Sequence, residues 1–435
     1  MEMKMLASDR NAVSIVVIAY NVRACIARCL ESIERQTLSP SEVIVVDDAS
    51  TDDSLAVIRS FHGRIPGLKC IHKEKNEGAH LARRSGVLSS TGDYIVFVDG
   101  DDELSPSAIE VLSALLARRQ CDILRFGRTI VSEGGEDFVA SYQAEHAFNA
   151  TISPLFGEEI LPSVFSDERP VHNTWSVIDC AFRGEFVRSA FQMMTDKSLG
   201  RMQDAYEFFV LASRAESFLS VTEYHGLLYH FGAGVSGFQK QGVEAFERGQ
   251  KGFVSTVRAV SEYASSLKAP RFIEYARWFK NRVFDTVANE WTVRIPEEEK
   301  TAAFASLRSL WGDADSARIL LRPLNARIEY VLSLHEEASL RSDSTMMLFA
   351  GCFEEVECSL ASEDSNDSLL IRYRNLTERL SSELEEIERQ RREEEERLAR
   401  SNSPVRKLFE FVFPEGSHRR RMVRFFVNRT VQKPR

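Results

Sequence analysis

The stretch Tyr94-Ile95-Val96-Phe97-Val98-Asp99-Gly100-Asp101-Asp102-Glu103 decides how the rest of this chain is read. Its apolar run is rich in β-branched and aromatic residues, the pattern of a strand buried on both faces of a parallel sheet. The run ends in acid: Asp99, Asp101 and Asp102 crowd around Gly100. Carboxylates that close repel one another unless a cation joins them. Oxygen ligands without Cys or His alongside favour Mg²⁺ or Mn²⁺ over zinc. In open α/β sheets, ligands collect beyond the carboxyl ends of the strands.

Working outward, Val13 to Ala19 reads as a first buried strand that stops at Tyr20 and Asn21, before a helix carrying Cys25, Ile26, Cys29, Leu30 and Ile33. Glu42 to Val46 is a second strand, and it runs into Asp47, Asp48, Asp52 and Asp53. Leu68 to His72 is a third, followed by Asn76, Gly78 and a helix with Ala82, Arg83 and Gly86. Strands alternating with helices at this spacing predict a parallel sheet with right-handed crossovers. Tyr20, Asp48, Arg83 and the acidic turn then share one edge. A ring there can stack a base, a carboxylate can accept an imino proton, and an arginine fork can hold a phosphate.

The segments VSIVVIAYN, CLESIERQT, EVIVVDDASTDDS, NEGAHLARRSG and GDYIVFVDGDD, spread over about 13–124, resemble the successive signatures of the family 2 inverting glycosyltransferases. The resemblance implies the GT-A nucleotide-diphospho-sugar transferase fold, α/β with a mainly parallel sheet. By the same resemblance Tyr20 stacks the nucleotide base, Asp48 hydrogen bonds it and Asp99 meets the ribose. Asp101 holds the Mg²⁺ or Mn²⁺ that bridges the donor diphosphate, and Asp102 supports it. Arg84 stands where the family often has Asn, which makes the diphosphate side more cationic.

Further along, NTWSVIDCAFRGEF (173–186) resembles the family segment in which a Trp precedes a strand ending in an aromatic-Arg pair. Trp175 is a candidate for stacking on acceptor sugar or for core packing. GRMQDAYEFFVL (200–211) resembles the Glu-Asp helix start whose carboxylate is the family's general base; here Gln203 replaces the Glu and Asp204 remains. Helical spacing sets Phe208 and Leu211 behind Asp204. YHGLLYHFGAGVSG (224–237) resembles the strand and closing loop of the site; His225 and His230 are candidates for a metal ligand, for a proton donor or lid residue near the diphosphate, or for satisfied strand histidines, and Gly232, Gly234 and Gly237 suit a loop that orders over the donor.

The expected organisation is a catalytic domain over 1–240, with a donor half at 13–128 and an acceptor half at 129–240. A helical accessory domain (241–355), a charged helix or weak coiled coil (356–403) and a basic amphipathic tail (404–435) follow. The charged helix is a candidate for homo-oligomer contact. The tail interleaves aromatic and basic residues, a pattern suited to an anionic membrane surface. With 55 Lys and Arg against 65 Asp and Glu, the net charge is −10, which argues against nucleic-acid binding by the whole chain. Seven cysteines scattered along the length do not make a disulfide framework. No run of eighteen apolar residues and no signal peptide is apparent, so the expected location is cytoplasmic, at the inner membrane face if the tail binds lipid. A GxGxxG after the first strand, a GxxxxGK phosphate loop and the Gly-rich opening of a nucleotidyltransferase are all missing, which sets those enzyme classes aside. The expected partners are a nucleotide-diphosphate sugar and a carbohydrate, lipid-linked or protein acceptor. The rival is a GT-A scaffold protein without turnover.

Overall fold

A computed structural model of the chain describes residues 11–132, 145–166, 173–231, 240–334, 337–361 and 367–400. The tail at 404–435 and the glycines expected in a closing loop (232, 234 and 237) lie outside these residues. Two compact units form: residues 1–239 with 248–283, and residues 240–247 with 284–435.

The first unit contains, in order, β1 (Val13–Ala19), α1 (Ile26–Glu34), β2 (Glu42–Asp47), α2 (Ser54–Ser60), β3 (Leu68–His72), α3 (Ala79–Ser89), β4 (Tyr94–Asp99), β5 (Glu103–Leu104) and α4 (Ala108–Arg118). It continues with β6 (Ile123–Ser132), β7 (Leu155–Phe156), α5 (Ile160–Phe165), β8 (Cys180–Arg183), α6 (Gly184–Met193), α7 (Gln203–Ala212) and β9 (Ser217–Phe231), then most of α8 (Val243–Ser266) and α9 (Pro270–Asn289). The strands lie side by side as β3-β2-β1-β4-β8-β6-β9-β5, with β7 on β9. β1 pairs in parallel with β2 and β4, and β2 with β3, as the alternating pattern predicts. β8 then runs antiparallel to β4 and β6, so the acceptor half is a mixed sheet.

Register fixes the functional edge. Ala19 lies opposite Asp47, Ile18 opposite Asp99, and Asp47 opposite His72, so the loops after four strands leave the sheet together. Two glycines permit the close packing behind this edge. A Cβ on Gly86 would fall 2.3 Å from Val16 Cγ1, so α3 lies directly on β1; one on Gly100 would fall 2.9 Å from the Ile18 carbonyl.

Residues 248–283 pack with the sheet unit, where the sequence expectation began an accessory domain at 241. The cause is aromatic: Phe279 meets Phe165 at 5.3 Å and Phe209 at 5.9 Å between ring centroids, and Tyr263 meets Phe209 edge-on. The second unit is helical, comprising α10 (Lys300–Trp311), α11 (Asp313–Leu334), α12 (Glu337–Ser342), α13 (Ser344–Glu354), α14 (Glu357–Ala361) and α15 (Ser368–Arg400). The charged helix is not a free coiled coil over its whole length. Leu370, Leu376, Leu380 and Leu384 of α15 are buried, Asn325 of α11 donates to the Leu369 carbonyl, and Arg372 pairs with Glu329 at 2.7 Å. The apolar stripe that would join a second copy is therefore used within the unit. Beyond Glu386 the surface is charged and laced by pairs such as Arg389–Glu386.

Candidate active site

The loops that follow β1 and β2 are stitched together. Asn21 Oδ1 accepts the Thr51 N–H at 2.8 Å, while Ser50 Oγ accepts the Asn21 N–H at 3.0 Å and Ser54 Oγ that of Val22 at 2.9 Å. Tyr20 is left standing on this platform, 45% exposed, as a ring with a free surface. Asp47 is buried, with Oδ2 on His72 Nδ1 at 2.7 Å. Asp48 has a task the sequence did not show. Its carboxylate accepts the N–H groups of Glu77 and Gly78, the latter at 2.7 Å, and lies 3.2 Å from Lys73 Nζ, so it fastens the loop that leads into α3.

Arg83 is also used differently from the expectation of a phosphate fork. Its side chain is 3% exposed, and its guanidinium donates to Asp99 Oδ1 at 2.9 Å and to Glu207 Oε2 at 3.3 Å. A guanidinium this deep requires carboxylate partners. Burial works against its charge, but Asp99, Glu207 and Asp204 outweigh that and hold it firmly protonated. Arg84 donates Nε–H to the Phe191 carbonyl on α6, which ties it to helix packing.

The acidic turn is strained electrostatically. Burial, then Asp99, pushes the Asp101 carboxyl up to about 6. Burial, then Asp99 and Asp101, pushes Asp102 up to about 8. Asp102 Oδ1 accepts the His230 N–H at 2.9 Å, whereas its buried Oδ2 has no hydrogen-bond partner. His230 lies on β9 with Nε2 2.8 Å from Glu103 Oε1, and Arg28 Nε reaches the same carboxylate at 3.3 Å. Imidazole from β9 and guanidinium from α1 thus flank the turn. His225 instead meets Thr129 Oγ1 at 3.0 Å. Among the described residues, no group of three or more His, Cys, Asp and Glu is preassembled as a metal cage. The donor set still fits a hard divalent cation: it offers carboxylate oxygens only, one of them buried and unpartnered. Mg²⁺ takes one or two carboxylates when substrate phosphates and water supply the remainder.

Asp204 sits in the first turn of α7, which Met202 opens from a left-handed conformation (φ 54°). Burial pushes its carboxyl up; Arg83 pulls it down, Glu207 and Asp99 raise it again, and the outcome is about 6. That is the range of a carboxylate able to take a proton near neutral pH. Trp175 is half-buried, with one face stacked on Phe165 at 6.2 Å and 8°. Two residues that sequence reasoning missed complete the arrangement. His80 and Glu207 are fully buried, with His80 Nδ1 2.9 Å from Glu207 Oε1. The available signal was a lone Glu inside the apolar run Tyr206–Ala212, which can be buried there only with a partner.

With this geometry in place, the family profile described as Glycosyl transferase family 2 matches residues 14–182. This stretch is a family 2 glycosyltransferase domain. Relatives of the domain include the uncharacterized glycosyltransferase YwdF of Bacillus subtilis, 39% identical over 175 residues, which cover 38% of this chain and 64% of that protein. The uncharacterized glycosyltransferase YibD of Escherichia coli is 31% identical over 118 residues, 27% of this chain and 34% of YibD. The chain thus spans less than two thirds of the length of each. Residues 1–349 of TarS from S. aureus align with a TM-score of 0.51 at 16% identity, over 82% of this chain and 93% of that one. The same TarS segment in complex with UDP-GlcNAc gives a TM-score of 0.50 at 18% identity, over 72% and 86%. These likenesses place the family 2 domain in the GT-A fold, as its sequence signatures implied. No helix among the described residues is long and apolar enough to cross a membrane.

Proposed function

We propose that the chain is an inverting glycosyltransferase that moves a sugar from a nucleoside-diphosphate sugar to an acceptor hydroxyl in the assembly of a cell-surface polysaccharide or glycoconjugate. One observation carries this reading: within a family 2 domain, Asp204 opens α7 near Arg83, whose guanidinium reaches Asp99 of the acidic turn at 2.9 Å. Tyr20 stacks the base, with Asp48 fastening the loop at its edge and Asp99 toward the ribose. Asp204 takes the proton of the acceptor hydroxyl as its oxygen attacks the anomeric carbon opposite the leaving diphosphate. Holding donor and acceptor in line supplies much of the remaining acceleration. Asp101, with Asp102 behind it, would hold Mg²⁺ or Mn²⁺, which when bound supplies positive charge against the departing diphosphate. Trp175, half-buried against Phe165, is the candidate to stack an acceptor sugar. The acceptor is a carbohydrate, a lipid-linked glycan or a protein, met at the cytoplasmic face of a membrane.

The test is a thermal-shift screen of UDP- and GDP-sugars with and without Mn²⁺, followed by turnover of the best donor. A donor that raises Tm only with Mn²⁺, and is consumed, supports the reading. Binding without consumption would leave a scaffold that keeps the fold. Full turnover in Asp101→Ala would remove the metal assignment.

A further inference from the structure

A chain of hydrogen bonds runs from the segment after α6 to the acidic edge of the sheet. His80 Nε2 lies 3.0 Å from the Thr195 carbonyl oxygen. A carbonyl only accepts, so this nitrogen carries a hydrogen and donates it. His80 Nδ1 then faces Glu207 Oε1 at 2.9 Å. With Nε2 already protonated, a neutral ring would set a lone pair against a carboxylate, so one further proton lies between the two. The other oxygen of Glu207 accepts from the Arg83 guanidinium at 3.3 Å, and a carboxylate beside a guanidinium stays ionised. The proton therefore belongs to Nδ1. Phe191 stacks on the imidazole and Tyr206 meets it edge-on, while the Thr195 N–H is held by the Tyr206 hydroxyl, so the ring has one orientation.

We infer that His80 and Glu207 form a buried imidazolium–carboxylate pair that positions Arg83 on Asp99 and leaves Asp204 as the one carboxylate of the group without a cation of its own. The count closes without Asp204: His80 and Arg83 are the cations, Glu207 and Asp99 the anions. Glu207 lies one turn after Asp204 on α7, so the pair sets the field at the proposed base while making no contact with substrate. The charged groups that act on Asp204 are Arg83, Glu207 and Asp99. The inference deepens the glycosyltransferase reading and rests on it for the role of Asp204 alone.

Two measurements test it. In protein labelled with ¹⁵N-histidine at about pH 7.5, where an unperturbed imidazole is neutral, both ring nitrogens of His80, assigned by their loss in His80→Gln, should carry a proton. Glu207→Gln should remove the one on Nδ1. An unprotonated Nδ1 in the unsubstituted protein overturns the proposal, whether or not any donor turns over. The second readout is the acid limb of the kcat/KM profile with the donor found by the screen. Glu207→Gln removes an anion and frees Arg83 toward Asp204, so the limb should move to lower pH; His80→Gln removes a cation, so it should move to higher pH, each by about one unit. The double variant should return toward the original profile. Limbs that shift in the same direction in both single variants would reduce the pair to packing.

Discussion

Asp102 and Asp179 are both 1% exposed, yet their surroundings drive them in opposite directions. Asp179, just before β8, has two guanidiniums: Arg128 Nη2 at 2.6 Å and Arg125 Nε at 3.5 Å. Arg128 also lies over the Phe148 ring at 4.2 Å. Burial pushes the Asp179 carboxyl up, but Arg128 and Arg125 outweigh it and leave it below the usual range. Asp102 receives a single backbone N–H and has Asp99 and Asp101 beside it, so burial and like charge act together. Arg128 contributes attraction there too, too weakly to reverse the balance. An acid buried among cations fastens the fold, whereas one buried among acids waits for a partner the chain does not supply. Asp204 lies between the two: Arg83 pulls it down, but burial with Glu207 and Asp99 leaves it raised.

The sharpest way to break this division is Asp204→Asn. Turnover should fall by about 10²–10⁴, with the Tm held or raised, because the substitution removes a carboxyl whose charge is disfavoured in place. Steady-state kinetics beside calorimetry checks both halves. A matched loss of stability would class Asp204 with Asp179. Asp179→Asn should do the reverse. It strips the counter-charge from two buried guanidiniums, and stability should drop by about 3–5 kcal/mol. The folded Asp179 carboxyl lies below its ordinary value, so its contribution is present above about pH 4 and is lost as pH falls further. The gap between the two proteins in a denaturant titration should therefore narrow on acidification.

The acidic half of this comparison was legible in the sequence, because it is local. A β-branched run ending in Asp99, Asp101 and Asp102 is visible in ten consecutive residues, and the crossover pattern sets Tyr20 and Asp48 at the same edge. Asp204 is singled out by the resemblance of 200–211 to the family's Glu-Asp helix start. What each side chain does once there depends on residues far away in the chain. Arg83 has the look of a phosphate ligand until Glu207, 124 positions on, is seen to hold it. Asp48 has the look of a free carboxylate until the Glu77 and Gly78 amides are seen to occupy it. The division into units is not legible for a related reason: helical periodicity reports that α8 and α9 are amphipathic but not which surface they cover, and Phe279 and Tyr263 cover Phe209.

The smallest effect is the most diagnostic of a cation site. Asp102 in the fold lies at about 8, above its ordinary value of 3.8, so its ionisation opposes folding. That cost is absent below about pH 4, grows as pH rises and levels off near pH 8. Asp102→Asn should therefore stabilise the metal-free protein at neutral pH, and by progressively less toward pH 4. Added Mn²⁺ should erase the gain, since the cation relieves in the unsubstituted protein the repulsion that the amide removes. Calorimetry at two pH values, with Mn²⁺ and with EDTA, measures all four corners. If the amide destabilises the metal-free protein, Asp102 is a fastener like Asp179, and the turn between β4 and β5 is held together by something other than an expected cation.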